Sequence, residues 1–163
     1  MYILGQVLGF IAVILGFISF QMKTHKKLMI MQTALSVTIL LHYLFIGGIS
    51  GCVLNLVCTA RNITYSTENK NKYLTIVFAV AMGILGVVSW QGWYSLFVIA
   101  GLVINTLCLA LKNPQSNRKS ILVTSPLIIV YDVIVKSYGG IILESVVIIS
   151  SVIGLIRYRK ENL

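Results

Sequence analysis

Seven apolar runs, each near the length that crosses a lipid bilayer, fill most of the chain, and short basic clusters separate them. About 20 apolar residues span a bilayer as a helix, with a usual range of about 17–25. The runs predict helices near Ile3–Gln21, Leu28–Ile46, Gly48–Tyr65, Tyr73–Val88, Trp93–Leu111, Ser120–Lys136 and Gly139–Tyr158. The third is interrupted by Asn55, Arg61 and Asn62, and the fourth is short. Met1–Gln21 lacks a basic leading region and no cleavage site follows it, so it reads as a first span rather than a signal peptide.

The charges test that number. "KTHKK", "RNITYSTENKNK", "KNPQSNRK" and the tail "RYRKENL" hold all of the 13 Lys and Arg except Lys136. Seven spans put all four clusters on one side, whereas six would split them. The opposite connections, "GGIS", "SWQG" and "KSYGG", are short and nearly uncharged. Lys and Arg collect in cytoplasmic loops, so the expected orientation is N-terminus out and C-terminus in. Trp90 and Trp93, with Tyr94 behind them, flank an outer connection and fit headgroup-level anchors.

Composition agrees. Residues are 58% hydrophobic and only 10% charged, which implies an all-α polytopic membrane protein whose first partner is the bilayer. A net charge of +9 would point to nucleic acid in a soluble domain. Here it is confined to the inter-span clusters, and nucleic acid is a poor reading. Cys52, Cys58 and Cys108 all sit in apolar runs, without a C-x-x-C pair or histidines at zinc spacing. No metal, cofactor or catalytic motif is predicted. The small-residue stripes Gly5, Gly9, Ala12, Gly16 and Ala79, Gly83, Gly86 fit close helix packing, with self-association left open.

Shifting the chain along itself by 89 residues, the separation of Tyr43 and Asp132, lays the first three spans over the last three without a gap. Lys23 falls on Lys112, Ser36 on Ser125, Gly51 on Gly140 and Leu54 on Leu143. The leftover is the fourth span, and two units of like orientation need an odd number of helices between them. The expected layout is 3+1+3: residues 1–66, a linker helix within 67–89, and residues 90–163. Parallel repeats of this kind place a solute site between halves.

The stretch "SFQMKTHKKLMIMQTALSVTILLHYLFIGG" resembles the PQ-loop/MtN3 pattern, and the layout resembles SWEET sugar transporters and PnuC-type vitamin transporters. Through "HYLFIGGISGCVLN", "SPLIIVYDVIVKSYGG" and Glu144, the whole chain resembles the YgjV family of bacterial inner-membrane proteins. Phe20 stands where a PQ-loop proline would be, and Leu109-Ala110 takes that place in the second half. The SWEET resemblance implies that Asn55 on the third helix and Glu144 on the seventh flank the solute.

The polar residues themselves carry the functional expectation. Asp132 and Glu144 lie on either side of the last outer turn, about 6–10 Å deep. An acid in hydrocarbon is costly and usually functional, and two close carboxylates resist ionising together. The first repeat places Tyr43 over Asp132 and Asn55 over Glu144, with His42 alongside. Helical phase puts Asn55, Thr59 and Asn62 on one face, Ser36 with Tyr43 and Gln32, Ser125 with Asp132, Glu144 with Ser151, and Gly101 with Asn105 and Cys108. The candidate solute-binding set is therefore Asn55, Glu144, Asp132, His42, Tyr43, Asn105, Ser36 and Ser125. Structural alternatives stand beside it. Asp132 can pair with Lys136 at i+4, Glu144 can lock the bundle through a neutral partner, and His42 is either an interhelical donor or a proton carrier. Arg61, near an inner helix end, reads first as reaching for lipid phosphates and second as binding an anionic solute. The leading functional expectation is passage of a small polar solute across the inner membrane, with or without proton coupling. A non-transporting receptor or assembly factor is the alternative, and an enzyme is not expected.

Overall fold

A computed structural model describes residues 1–20, 25–67, 72–109 and 114–161. They form seven helices: α1 (Tyr2–Phe20), α2 (His25–Ile46), α3 (Ile49–Ser66), α4 (Lys72–Val88), α5 (Ser95–Leu109), α6 (Pro114–Ile134) and α7 (Tyr138–Glu161). Among the predicted basic and loop residues, Lys23, Lys70, Ala110 and Lys112 lie outside the described residues. The largest boundary difference is at α6, which starts six residues before the predicted Ser120. Pro114 explains it: a proline lacks only an N–H that the first helical turn leaves unpaired anyway.

The exterior is greasy, and the interior holds polar groups beside an apolar core that includes Leu54, Val57, Met82, Val98 and Ile99. Ile3, Ile14, Leu44, Leu56, Val77, Val88, Val123, Val133 and Ile149 are exposed, while Ser36, His42, Asn55, Arg61, Asn62, Thr106, Ser125 and Asp132 are buried. In lipid this is the arrangement that satisfies polar groups within the protein. Trp90 and Trp93 are exposed beside the α4–α5 connection, but Tyr94 is half-buried against Tyr131, its ring 6.0 Å away.

Neighbours along the chain pack on one another, except that α3 also meets α5. Contacts of α1 with α7 and of α3 with α5 close a ring in the order α1, α2, α3, α5, α6, α7, and α4 packs on α3 and α5. The α1–α7 crossing is backbone on backbone. A Cβ added to Gly139 would run into the Cα and carbonyl carbon of Gly9, and one on Gly9 would come within 2.9 Å of the His42 ring. Gly83, by contrast, faces open space. The small-residue stripe of α1 is thus a packing seam, while in that of α4 Ala79 is buried and Gly86 abuts Ile99 but Gly83 is open.

Two turns share one construction. At the end of α2, Gly47 has φ 86° and the Gly48 N–H bonds the Tyr43 carbonyl at 2.9 Å. At the end of α6, Lys136 has φ 57° and the Ser137 N–H bonds the Asp132 carbonyl at 2.8 Å. Both are helix ends closed by a left-handed residue, which glycine adopts freely and lysine at a cost of roughly 1 kcal/mol. Each atom pair of the second turn lies 89 residues after the first, the separation of Tyr43 from Asp132. The same interval separates the starts of α2 and α6 and of α3 and α7, and the ends of α1 and α5.

The α1–α7 seam predicts an asymmetric response to added methyls. Gly139→Val should destabilise the protein by about 1–3 kcal/mol or prevent its assembly. Gly83→Ala should shift stability by no more than about 0.5 kcal/mol. Thermal unfolding of the purified variants in one detergent, followed by size-exclusion profile, measures both.

Candidate functional site

The polar side chains sort into two levels. The first lies beside the two turns. The Tyr43 hydroxyl donates to Asp132 Oδ1 at 2.6 Å, joining α2 to α6 through residues 89 apart in the chain. The Gly51 N–H donates to the Tyr131 hydroxyl at 3.0 Å. The Tyr43 and Tyr131 rings meet edge to face, 5.7 Å apart. Gly51 and Gly140 make this possible. A Cβ on Gly51 would come within 2.7 Å of the Tyr43 ring, and one on Gly140 would collide with Ser137 Oγ and Asp132 Oδ2.

His42, on α2 and only 1% exposed, links α1 to the α6–α7 turn. Its Nδ1 lies 2.6 Å from the Gly5 carbonyl and its Nε2 2.7 Å from Ser137 Oγ. A carbonyl can only accept, so Nδ1 carries a proton. Asp132 is 0% exposed, and its bond runs to Tyr43 rather than to the exposed Lys136 that sequence offered as a partner. Its second oxygen, Oδ2, lies beside Ser137 Oγ without a closed hydrogen bond among the described residues.

The turns are also tied to helix starts across the ring. Tyr2 Oη and Gln6 Nε2, on α1, donate to the Lys136 carbonyl at 3.0 and 2.7 Å. Gln91 Nε2, just before α5, donates to the Gly47 carbonyl at 2.8 Å. Ser50 Oγ adds bonds to the Ser89 carbonyl and to Ser95 Oγ, at 2.6 and 2.9 Å.

The second level is a cavity of about 170 Å³ in the half nearer the basic connections. Every helix of the ring contributes a polar or small residue: Ser19 from α1, Ser36 from α2, Asn55 from α3, Asn105 from α5, Ser125 from α6 and Glu144 from α7. Glu144 has Ser125 as its hydrogen-bonding neighbour. Asn55 Nδ2 donates to the Gly51 carbonyl at 2.9 Å. The side-chain amides of Gln32 and Asn105 line the cavity too and make no hydrogen bond among the described residues. A smaller cavity of about 40 Å³ sits toward the turns, bordered by Tyr43, Asn55, Asp132, Gly140 and Glu144. That is room for a water molecule, with polar partners around it. Asn55 and Glu144 border both spaces.

Of the eight residues predicted from sequence, Asn55, Glu144, Asn105, Ser36 and Ser125 therefore share the larger cavity. Tyr43 and Asp132 meet above it, and His42 borders neither space. The polar face of α3 is also rotated from expectation. Cys58 lines the cavity with Asn55 and Asn62, whereas the Thr59 hydroxyl returns to its own helix at the Asn55 carbonyl, 2.8 Å away. Ser151 and Cys108 do not line it.

Arg61 is the larger correction. The expectation that it reaches out to lipid phosphates fails, because it is 5% exposed and lies in the cavity wall. One terminal nitrogen donates to Thr106 Oγ1 on α5 at 2.6 Å. Nε and the other terminal nitrogen grip Asn62 Oδ1 at 3.2 and 3.0 Å. Asn62 in turn donates to Ser36 Oγ and the Gln32 carbonyl at 3.1 and 3.2 Å. Sequence reasoning missed the Thr106 and Ser137 partners as well. The repeat held a signal for Tyr131, which stands opposite His42 in the shifted chain. Nothing in the sequence singled out Thr106.

No cluster of metal-ligating side chains occurs among the described residues. The sequence matches a family model described as Imp-YgjV, bacterial inner membrane protein, over residues 3–162. No curated protein and no solved structure matches it.

Removing one oxygen tests the bond between the halves. Tyr43→Phe should cost about 1–3 kcal/mol, because it leaves a fully buried carboxyl without its donor. Tyr43→Phe combined with Asp132→Asn should lose less than the sum of the single changes. Thermal unfolding of the three variants and the parent closes this cycle.

Proposed function

We propose that this chain, which belongs to the Imp-YgjV family of bacterial inner membrane proteins, carries a small polar solute across that membrane through the larger cavity. The observation that carries the reading is the cavity itself, walled by polar residues from all six ring helices in an otherwise apolar bundle. A polar hollow enclosed by apolar surface has no evident use in holding helices together, because satisfied apolar packing would hold them better. It does suit a solute that must leave water to cross.

The two moving parts are α1–α3 and α5–α7, parallel three-helix halves joined by α4. The constant interval between helix ends and the matched turns support this division. So does the reciprocity of the ties: the start of α1 holds the turn of the second half, and the residue before α5 holds the turn of the first. The α1–α7 and α3–α5 contacts are matching seams, along which halves of a carrier would rock. The basic clusters support an orientation with the cavity end toward the cytoplasm, the N-terminus outside and the C-terminus inside. In this state the outer end is shut by Tyr43, Asp132, His42 and Ser137, and the cavity lies on the inner side. Asn55 and Glu144, to which the SWEET resemblance gives the solute, both border it.

Proton coupling has a ready path in the outer lock. When Asp132 carries a proton on Oδ2 it can donate to Ser137 Oγ, while the Ser137 hydroxyl donates to Nε2 of a neutral His42 that is protonated on Nδ1. When that proton passes along the relay, Nε2 donates to Ser137 Oγ and the Ser137 hydroxyl turns to the Asp132 carboxylate, so one proton leaves Asp132 as one arrives on His42.

Uptake into proteoliposomes tests the proposal. The parent protein should accumulate a subset of small polar solutes, and Glu144→Gln should reduce that uptake at least about tenfold while leaving thermal stability nearly unchanged. Asp132→Asn should uncouple uptake from an imposed pH gradient. No flux across a broad solute panel would favour a receptor or assembly role instead.

A further inference from the structure

The cavity wall holds a cation with no counter-ion among the described residues. Arg61 donates three of its five N–H groups, all to the neutral side chains of Thr106 and Asn62. Each terminal nitrogen keeps one further N–H. Asp132 is bonded to Tyr43 at the turn level, and Glu144 stands across the ring on α7 beside Ser125. A charge withdrawn from water without an opposite charge is strongly unfavourable. A neutral amide could supply the bonds to Thr106 and Asn62 without that penalty, so bundle packing alone does not account for a guanidinium here. Nor is it a long side chain passing through on its way to the headgroups. Asn62 fixes its plane from one edge and Thr106 from the other, and Asn62 is itself pinned by Ser36.

We propose that Arg61 is the anchor for a carboxylate on the transported solute, and that the solute is a small hydroxy acid or amino acid. This rests on the transport reading above. Two N–H groups on adjacent terminal nitrogens are what a carboxylate accepts in a bidentate pair, a fit that a spherical anion cannot match. The unbonded amides of Gln32 and Asn105 supply further donors in the same wall. At the other side of the cavity Glu144 is an acceptor, and it requires a donor on the solute: a hydroxyl or an ammonium group. A cavity of about 170 Å³ limits that solute to a few heavy atoms beyond its carboxylate.

The test uses the full-length protein in nanodiscs of uncharged lipid, with lactate, glycine, inorganic phosphate, glycerol and ethanolamine as probes. Binding is read by calorimetry and by thermal shift. Lactate or glycine should bind, and lactamide or glycinamide, which lack only the carboxylate, should bind at least about tenfold more weakly. Arg61→Gln should abolish the preference for acid over amide, and Arg61→Lys should retain part of it. Equal affinity for acid and amide on the parent protein overturns the proposal, and this comparison holds even if Arg61→Gln does not fold. Preference for glycerol, ethanolamine or phosphate over every carboxylate overturns it too, while leaving transport intact. Absence of binding and of flux for all of these and for a wider panel sinks the transport reading along with it.

Discussion

Hydrocarbon offers no hydrogen bonds, so a polar group inside the bilayer must find its partner within the protein. That single requirement organises this molecule. It leaves isoleucine and valine on the perimeter and gathers serine, asparagine, arginine and aspartate inside. It also explains why the longest-range bonds gather where chains reverse direction. Tyr2, Gln6 and Gln91 reach across the ring to the carbonyls of the two left-handed turn residues.

The same requirement separates two levels with different tasks. Near the turns, partners are specific: Tyr43 with Asp132, His42 with Gly5 and Ser137, Tyr131 with Gly51. Asp132 Oδ2 and Gln6 Oε1 at that level, and the Thr124 hydroxyl at the cavity, are buried without a hydrogen bond among the described residues. At the cavity level the Asn105 and Gln32 amides and the Arg61 charge also lack a partner among the described residues. Asn55 and Glu144 border both spaces, so the same two side chains connect the cavity to the level of Asp132.

Glycines set the distances that make this possible. Gly9 and Gly139 let α1 and α7 touch backbone to backbone, and Gly9 also leaves room for the His42 ring, which bonds the Gly5 carbonyl. Gly51 and Gly140 clear the space for Tyr43 and Asp132. These four positions act through geometry alone, because a methyl at any of them would push apart the groups that meet beside the turns.

Much of this was written in the chain. Run length fixed helices of bilayer size, because a segment must be about 20 residues long to hide its backbone in lipid. The interval from Tyr43 to Asp132 marked pairs such as Gly51 and Gly140 before any coordinates, because matching turns need matching residues. Intramembrane polarity singled out Asn55, Glu144 and Asp132, since such residues are too costly to scatter. Tertiary structure alone decided the partners. Sequence spacing offered Lys136 to Asp132, yet Tyr43 from another helix took the bond. It sent Arg61 outward, yet Thr106 and Asn62 drew it into the wall. Helical phase placed Thr59 on the polar face, whereas the packing of α3 turned Cys58 there instead. Spacing along one helix states which residues share a face, but only the neighbouring helices determine which way that face looks and what meets it.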